Sequence, residues 1–167
     1  NKIALLKGGN GSEKEISLMT ADACREAFKE LGFKFVEIDI KNEFIQNLIL
    51  EDIDTCFNAL HGSLGENGSI PGLLNCLKIP YTHSGVIASS IAMDKEISKK
   101  IFIKNKINTP KFFTYSYDFK DEDLIKKIKK KLKFPVVAKP LNEGSSVNVY
   151  ICNEKNIVKN LNKLKAY

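Results

Sequence analysis

The sequence has a single arginine, Arg25, although its formal net charge is +6 over 167 residues. Proteins that read bases or clamp nucleic-acid strands favour clustered arginines, with aromatic side chains among the basic residues. Here the basic residues are lysines spread among isoleucines and asparagines, and the densest run, Lys126 to Lys131, is typical of a solvated helix face. We therefore predict no nucleic-acid partner.

Paired cysteines and long apolar runs are also lacking. The 4 cysteines include no Cys-x-x-Cys pair, and each lies in an apolar context, which favours buried thiols in a reducing cytoplasm over a disulfide scaffold. No apolar run approaches the roughly 20 residues that span a bilayer. The short apolar run at the N-terminus predicts a strand better than a signal peptide. We expect a cytoplasmic protein without a membrane partner.

Strand and helix patterns alternate along the first part of the chain. Strands are predicted at residues 2–6, 33–40 and 55–60, with a short helix at 43–50. A longer helix is predicted to begin at a capping box of Ser12 and Glu15 and to stop at Gly32. Its predicted inward stripe is Ile16, Met19, Ala23, Ala27 and Leu31. This alternation is typical of a parallel α/β sheet with helices on its faces.

The second part of the chain is predicted to form a separate domain. We place a boundary near Met93, which gives domains at residues 1–93 and 94–167. Before it come a glycine-rich segment at 61–68, a helix around Leu73, Leu74 and Leu77, a strand at 79–82 and a helix from Ser84–Gly85. Beyond it we predict a helix with Ile97, Ile101 and Phe102 inward, a strand around 112–115, a helix at 121–132, strands at 134–139 and 147–152, and a helix from 154.

A lysine stands where a buried strand gives way to a loop of small residues. The apolar run Phe134 to Ala138 is followed by Lys139 and then by Gly144-Ser145-Ser146. A cation beside a loop with free N–H groups suits a polyphosphate, although the spacing differs from that of a Walker P-loop. On this stretch alone, a plain Gly-Ser-Ser turn remains the alternative.

Four groups of residues, in order along the chain, together resemble the D-alanine–D-alanine ligases of the ATP-grasp superfamily. They are Gly8-Gly9 with Glu13 to Leu18; His61-Gly62 with Gly65 to Gly68 and Gly72; Ile79 to Thr82 with Ser84-Gly85, Met93 to Lys95 and Lys99; and Phe134-Pro135 with Lys139-Pro140 and Glu143 to Val147. The resemblance implies an N-terminal α/β domain with a parallel sheet, followed by an incomplete ATP-grasp central α+β domain.

The resemblance also implies roles for particular residues. Glu13 matches the glutamate that holds the ammonium of the first D-alanine, and His61 a histidine near that substrate. Lys95 and Lys139 match two lysines that contact ATP phosphates. Ser145 matches a serine that hydrogen-bonds the glutamate, and Glu143, Gly144 and Ser146 belong with it to the loop around the phosphates.

The implied activity is a ligase reaction in peptidoglycan synthesis, and hence in cell-wall biogenesis and cell shape. One D-alanine is activated by ATP as an acyl phosphate, and a second D-alanine displaces the phosphate. The family's Mg²⁺ ligands are expected beyond Tyr167, so the chain is expected to be the N-terminal half and to be inactive alone. No metal ligand is predicted within the chain, and a homodimer through the N-terminal domain is expected.

Other functions are compatible with the sequence, and two residues depart from the family's usual pattern. The second substrate could be D-lactate or D-serine, and the chain could be a non-catalytic ATP-grasp remnant that serves as a binding module. His83 stands where the family usually has glycine and is expected to crowd the turn. Asn148 also replaces a common glycine, and asparagine tolerates unusual backbone angles better than most residues.

Overall fold

The computed structural model describes residues 2–41, 43–116, 120–144 and 146–164 of the chain. The chain divides after Met93 into two compact units, Asn1–Met93 and Asp94–Tyr167, here called the first and second units. Each unit has its own cluster of buried apolar side chains. The two units are therefore described separately.

A parallel sheet of three strands forms the centre of the first unit. The strands are β1 (Lys2–Lys7), β2 (Lys34–Asp39) and β3 (Thr55–Asn58), and their order in the sheet is β2-β1-β3. β1 pairs in parallel with both neighbours. The predicted parallel α/β arrangement is confirmed: β1 is one residue longer than predicted, β2 is one residue shorter at each end, and β3 ends two residues earlier.

Helix α1 (Lys14–Glu30) connects β1 to β2 and ends where predicted. Gly32 has a φ of +70°, and its N–H donates to the Lys29 carbonyl at 3.1 Å. The Phe33 N–H donates to the Phe28 carbonyl at 2.9 Å. This pair of bonds is a Schellman motif, which satisfies carbonyls at the helix end and needs a residue tolerant of positive φ. Gly32 is therefore confirmed as the stop signal.

The face that α1 turns to the sheet differs from the predicted one. The buried residues are Ser17, Ala21 and Phe28, whereas Met19 is 73% exposed and Leu31 70% exposed. The ring of Phe28 packs edge-on against that of Phe57, with centroids 5.4 Å apart. The predicted stripe was wrong because two stripes of the helix are apolar, and periodicity alone does not say which one an aromatic side chain anchors.

The opposite face of the sheet is covered by α2 (Phe44–Leu50) and α4 (Ser69–Cys76). Alternate strand residues point to this side, as the period of a strand requires. The buried cluster on this face is Ala4, Leu6, Ile38, Ile40, Leu48, Cys56, Leu60, Ile70 and Leu74. Burial raises the pKa of the Cys56 thiol to about 12, so this cysteine is a structural apolar residue.

Shorter elements complete the first unit. Helix α3 (Ser63–Glu66) follows β3, and α5 (Val86–Met93) ends the unit. The strand predicted at residues 79–82 is reduced to one parallel bridge between Tyr81 and Cys56. None of the described helices combines the length and apolar character that crossing a bilayer requires.

The second unit is built from three helices and a two-stranded sheet within its described residues. It runs α6 (Lys95–Lys104), α7 (Asp121–Lys131), β4 (Val136–Ala138), β5 (Tyr150–Cys152) and α8 (Ile157–Leu164). β4 and β5 are antiparallel. The buried cluster joins α7, α8 and the strands through Leu124, Ile128, Ala138, Cys152, Ile157 and Leu164.

Two predictions for the second unit were wrong. No strand is formed by residues 112–115, which are irregular. α6 has no buried residue: Ile97 is 44% exposed and Phe102 40% exposed. The amphipathic pattern of α6 is real, but the core of this unit is filled by α7, α8 and the strands instead, so the apolar face of α6 stays only partly covered.

Candidate functional site

In the first unit, the candidate residues lie where the parallel strands end. β1 ends at Lys7 and leads through Gly8 and Gly9 toward α1, and the chain leaves β3 toward His61. Because the carboxyl ends of parallel strands meet at one edge of a sheet, these connections converge there, as ligand sites in open α/β sheets generally do. The fold therefore brings Glu13 and His61, two of the predicted site residues, to the same edge.

Glu13 is the most unusual of these residues. Its residue surface is only 2% exposed, yet neither carboxylate oxygen has a hydrogen-bond partner among the described residues. A β-carbon added at Gly62 would lie 2.6 Å from Glu13 Oε2, so the carboxylate rests directly against the backbone of Gly62. A buried acid without a partner is costly, which makes a ligand the natural source of the missing donors.

The local structure around Glu13 corrects the predicted capping box. α1 begins at Lys14, with Glu13 itself at the N-cap position and no side-chain capping bond there. The predicted box of Ser12 and Glu15 was wrong, because the box needs the serine at the N-cap and the glutamate three residues later. Glu13 therefore occupies the N-cap position without making a capping bond through its side chain.

Ser17 holds this edge of the sheet together and was missed by the sequence analysis. Its hydroxyl accepts from the Gly8 N–H at 2.9 Å and donates to the Ala59 carbonyl at 2.9 Å. Ser17 is fully buried, and it lies one helical turn beyond Glu13. It thus ties the ends of β1 and β3 to the first turn of α1. A serine in an otherwise apolar helix stripe is the signal that would have pointed to it.

His61 is held between two side chains. Its Nε2 lies 2.9 Å from Thr20 Oγ1 on α1, and its Nδ1 lies 3.6 Å from Glu66 Oε1 on α3. The other oxygen of Glu66 accepts from the Gly62 N–H at 3.1 Å. Thr20 and Glu66 were not singled out from the sequence, because only the fold brings residues 20, 61 and 66 together.

In the second unit, Lys95 and Lys139 lie together at an open cavity. The cavity has a volume of about 400 Å³, and its walls combine these lysines and Lys99 with apolar side chains from the strands and helices of the unit. Burial lowers the pKa of Lys95, and the positive charge of Lys139 lowers it further. Cations that crowd one another beside an apolar cavity suit a ligand with a phosphate tail and an apolar body.

The start of α6 positions Lys95. Asp94 caps the helix, and its Oδ1 accepts from the N–H groups of Glu96 and Ile97 at 2.9 Å each. The Lys95 ammonium donates to the backbone carbonyls of Leu141 at 3.0 Å and of Glu143. Lys95 therefore holds the segment that follows Lys139, and a bound anion would have to compete with these carbonyls.

Lys99 joins the same group. Burial lowers its pKa and Lys139 lowers it further, while its ammonium donates to Thr109 Oγ1 at 3.0 Å and to the Pro110 carbonyl at 2.9 Å. Lys99 also lies 5.0 Å from the ring centroid of Phe112. Lys99 belongs to one of the motifs that carry the family resemblance, but no function was predicted for it. Its hydrogen bonds stabilise the irregular segment after α6.

The predicted glycine–serine loop is described except for Ser145. Ser145, predicted as a catalytic and a phosphate-binding residue, lies outside the described residues. The Gly144 carbonyl accepts from the Val147 N–H at 2.9 Å. Ser146 and Asn148 have positive φ values of 62° and 56°. The expectation that asparagine would tolerate an unusual backbone angle at position 148 is confirmed.

His83 does not have a strained backbone. It is not among the described residues with positive φ, so its position does not require glycine. Its ring packs against that of Tyr81 with centroids 4.8 Å apart, and both ring nitrogens are buried without a hydrogen-bond partner in the described part of the chain. Burial lowers the pKa of His83. Crowding of the turn by His83 stays a prediction.

No metal centre is apparent in the part of the chain that the structure describes. Its His, Cys, Asp and Glu side chains form no group of three or more that could hold a metal ion. The residues described thus do not offer the oxygen-rich donor set that Mg²⁺ prefers.

The chain is similar to known proteins along nearly its whole length. A family model described as the RimK-like ATP-grasp domain matches residues 92–166. The D-alanine–D-alanine ligase of Pelagibacter ubique is 53% identical over 166 residues, which are 99% of this chain and 55% of that protein. This chain is a relative of the D-alanine–D-alanine ligases. It spans about half the length of the curated relatives that it matches.

Solved structures of such ligases have the same fold. The D-alanine–D-alanine ligase from Bacillus anthracis matches 98% of this chain and 53% of its own length, with a TM-score of 0.81 and 34% identity. A structure of that ligase complexed with ATP matches with a TM-score of 0.75 and 30% identity. The predicted resemblance to the D-alanine–D-alanine ligases is confirmed.

Proposed function

We propose that this chain provides the amino-acid-binding and nucleotide-binding parts of an ATP-dependent D-alanine–D-alanine ligase of the cytoplasm. In the proposed reaction, the carboxylate of one D-alanine attacks the γ-phosphorus of ATP, giving an acyl phosphate and ADP. The amine of a second D-alanine then attacks the acyl carbon, and inorganic phosphate leaves. The dipeptide would serve peptidoglycan synthesis. Since the described residues offer no fitting ligand set for Mg²⁺, no step is assigned to that ion.

The observation that carries this proposal is the buried, unpaired carboxylate of Glu13. An ammonium group supplies both the positive charge and the N–H donors that this carboxylate lacks. Such a contact would also engage the amine of the first D-alanine, so that the carboxylate of that molecule is the group left to react. His61 follows β3 and directly precedes Gly62, whose backbone lies against this carboxylate.

The second unit supports the nucleotide part of the proposal. The lysine pair at the cavity would neutralise phosphate oxygens, and the apolar walls would contact a nucleobase. Phosphoryl transfer depends mainly on positioning and on charge stabilisation, so closely placed cations are the contribution that such a site would make. The loop residues Glu143, Gly144, Ser145 and Ser146 are proposed to close around the same phosphates.

Substitution of Glu13 by glutamine tests the proposal in the complete gene product that contains this chain. Because glutamine keeps the shape but removes the charge, the KM for the first D-alanine should rise roughly tenfold to a hundredfold, the range expected for a charged hydrogen bond. The KM for ATP should change little. Glu15→Gln is the matched control, since Glu15 is exposed in the first turn of α1. Equal effects of the two substitutions would contradict the assignment.

We also propose a homodimer formed through the first unit. Its support is the exposed apolar stripe of α1, in which Met19 is 73% exposed and Leu31 70% exposed. Covering such a stripe by a second copy would remove apolar surface from water. Sedimentation of the purified protein should show a dimer, and Met19→Lys should shift it toward monomer. A wild-type monomer at all concentrations would contradict this proposal.

A further inference from the structure

The contacts around His61 distinguish its two ring nitrogens. Nε2 lies 2.9 Å from Thr20 Oγ1, which is hydrogen-bond distance, whereas Nδ1 lies 3.6 Å from Glu66 Oε1, which is beyond it. In a neutral imidazole one nitrogen carries a proton and the other a lone pair, and the neighbours decide which is which. The side chains of α1 and α3 are therefore able to select the form of this ring.

Thr20 has one hydroxyl proton, and the structure places a hydrogen-bond acceptor for that proton within its own helix. Its Oγ1 donates to the Ile16 carbonyl at 3.0 Å, the usual back-bond of a threonine within a helix. A carbonyl can only accept, so the hydroxyl proton is used there. Thr20 Oγ1 can then only accept in its hydrogen bond with His61, so Nε2 of His61 must be the donor.

Glu66 is fixed independently of the ring. Its Oε2 accepts from the Gly62 N–H at 3.1 Å, and its backbone N–H donates to the Gly62 carbonyl at 2.9 Å. Its Oε1 is thereby held toward Nδ1 but short of a hydrogen bond. The gap leaves Nδ1 as the uncommitted nitrogen, next to the residue whose backbone contacts Glu13.

We propose that Thr20 is a positioning residue that holds a proton on Nε2 of His61, leaving on Nδ1, beside Glu66, a lone pair that can accept a hydrogen bond from the ammonium of an incoming amino acid. The role for the amino acid rests on the proposed function, whereas the hydrogen-bond arrangement does not.

Histidine ring nitrogen NMR on the full chain, without any ligand, tests the arrangement. The chain has 2 histidines, so His61→Gln assigns the spectrum and leaves His83 as an internal control of folding. At a pH where the ring is neutral, wild-type His61 should carry its proton on Nε2. Thr20→Val keeps the shape but loses the acceptor, so the proton should move to Nδ1, toward Glu66. Thr20→Ser should restore the wild-type spectrum.

Activity of the complete gene product separates this inference from the proposed function. Thr20→Val should raise the KM for the first D-alanine roughly threefold to tenfold, the effect of one hydrogen bond, with the KM for ATP unchanged and with rescue by Thr20→Ser. A wild-type protein without D-alanine-dependent activity would remove the proposed function but not the assignment of Thr20. If His61 shows the same protonated nitrogen in wild type and in Thr20→Val, the inference is overturned.

Discussion

The two units hold charge in opposite ways. The first unit buries one carboxylate, Glu13, without a partner among the described residues, whereas the second gathers Lys95 and Lys139 at an open cavity where the charge of Lys139 helps to lower the pKa of Lys95. Both arrangements are unfavourable for a protein without ligand. Each would be relieved by a ligand of the opposite sign: an ammonium in the first unit and a polyphosphate in the second.

The supports of the two sites also differ. Around Glu13, the buried hydroxyl of Ser17 ties two strand ends to a helix, so a side chain fixes the backbone. Near Lys139, backbone groups instead fix a side chain, because the carbonyls of Leu141 and Glu143 accept from the ammonium of Lys95. We therefore expect the loss of the supporting residue Ser17 to reduce stability, and the loss of Lys139 mainly to reduce binding.

Removal of Lys139 should have the largest effect. In the complete gene product, Lys139→Met should weaken ATP binding roughly tenfold to a hundredfold, since a hydrogen bond to a charged group contributes about 1.5–3 kcal/mol. D-Alanine binding should stay unchanged if the two sites are independent. Calorimetry with each ligand measures both. Lys104→Met, an exposed change in α6, is the control; an equal loss there would show that net charge rather than the site sets the affinity.

Glu13→Gln should increase the stability of the ligand-free protein. Burying an unpaired charge costs more than burying an unpaired amide, so the free energy of unfolding should rise by roughly 2 kcal/mol. Urea unfolding of the wild type, Glu13→Gln and the exposed control Glu15→Gln measures the effect. A loss of stability in Glu13→Gln alone would mean that the carboxylate has a stabilising partner, and the contrast between the two units would fail.

Ser17→Ala should destabilise the first unit by about 1–2 kcal/mol, because the Gly8 N–H and the Ala59 carbonyl would each lose a buried partner. Ser12→Ala is an informative control. If Ser12 capped α1, its loss would cost about 1 kcal/mol, but the helix begins at Lys14 and Ser12 is exposed. If both substitutions reduced the free energy of unfolding in urea equally, Ser12 would be shown to cap α1 and Ser17 would have no special role.

The smallest effect should come from the pH dependence of His83. Burial lowers its pKa below the ordinary value of about 6.5, so the unfolded chain binds the proton more readily than the folded one. Stability should therefore fall as the pH drops through 6.5 toward the folded pKa and should level off below it. His83→Gln should remove this component of the pH profile of thermal unfolding. An identical profile would show that the ring titrates as it does in the unfolded chain.

Some helices and strands could be predicted from the sequence, and others could not. The alternation of apolar runs was enough to predict β1, β2 and β3 as a parallel sheet, and Gly32 was enough to end α1, since both depend on local periodicity and backbone freedom. The inward face of α1 was mispredicted because choosing between two apolar stripes depends on Phe28 meeting Phe57 across the sheet. The strand expected near residue 112 did not form, because an apolar run needs a neighbouring strand for its hydrogen bonds.

Residue types and spacing by themselves determined the family resemblance and the candidates Glu13, His61, Lys95 and Lys139. Only the tertiary structure decided that Glu13 is buried without a partner, that Ser17 ties the strand ends together, and that Thr20 and Glu66 flank His61. The reason is physical: sequence carries the chemistry of a side chain and its local periodicity, whereas burial and hydrogen-bond partners arise between residues that are distant along the chain. Whether a carboxylate is paired is a property of its neighbours in space.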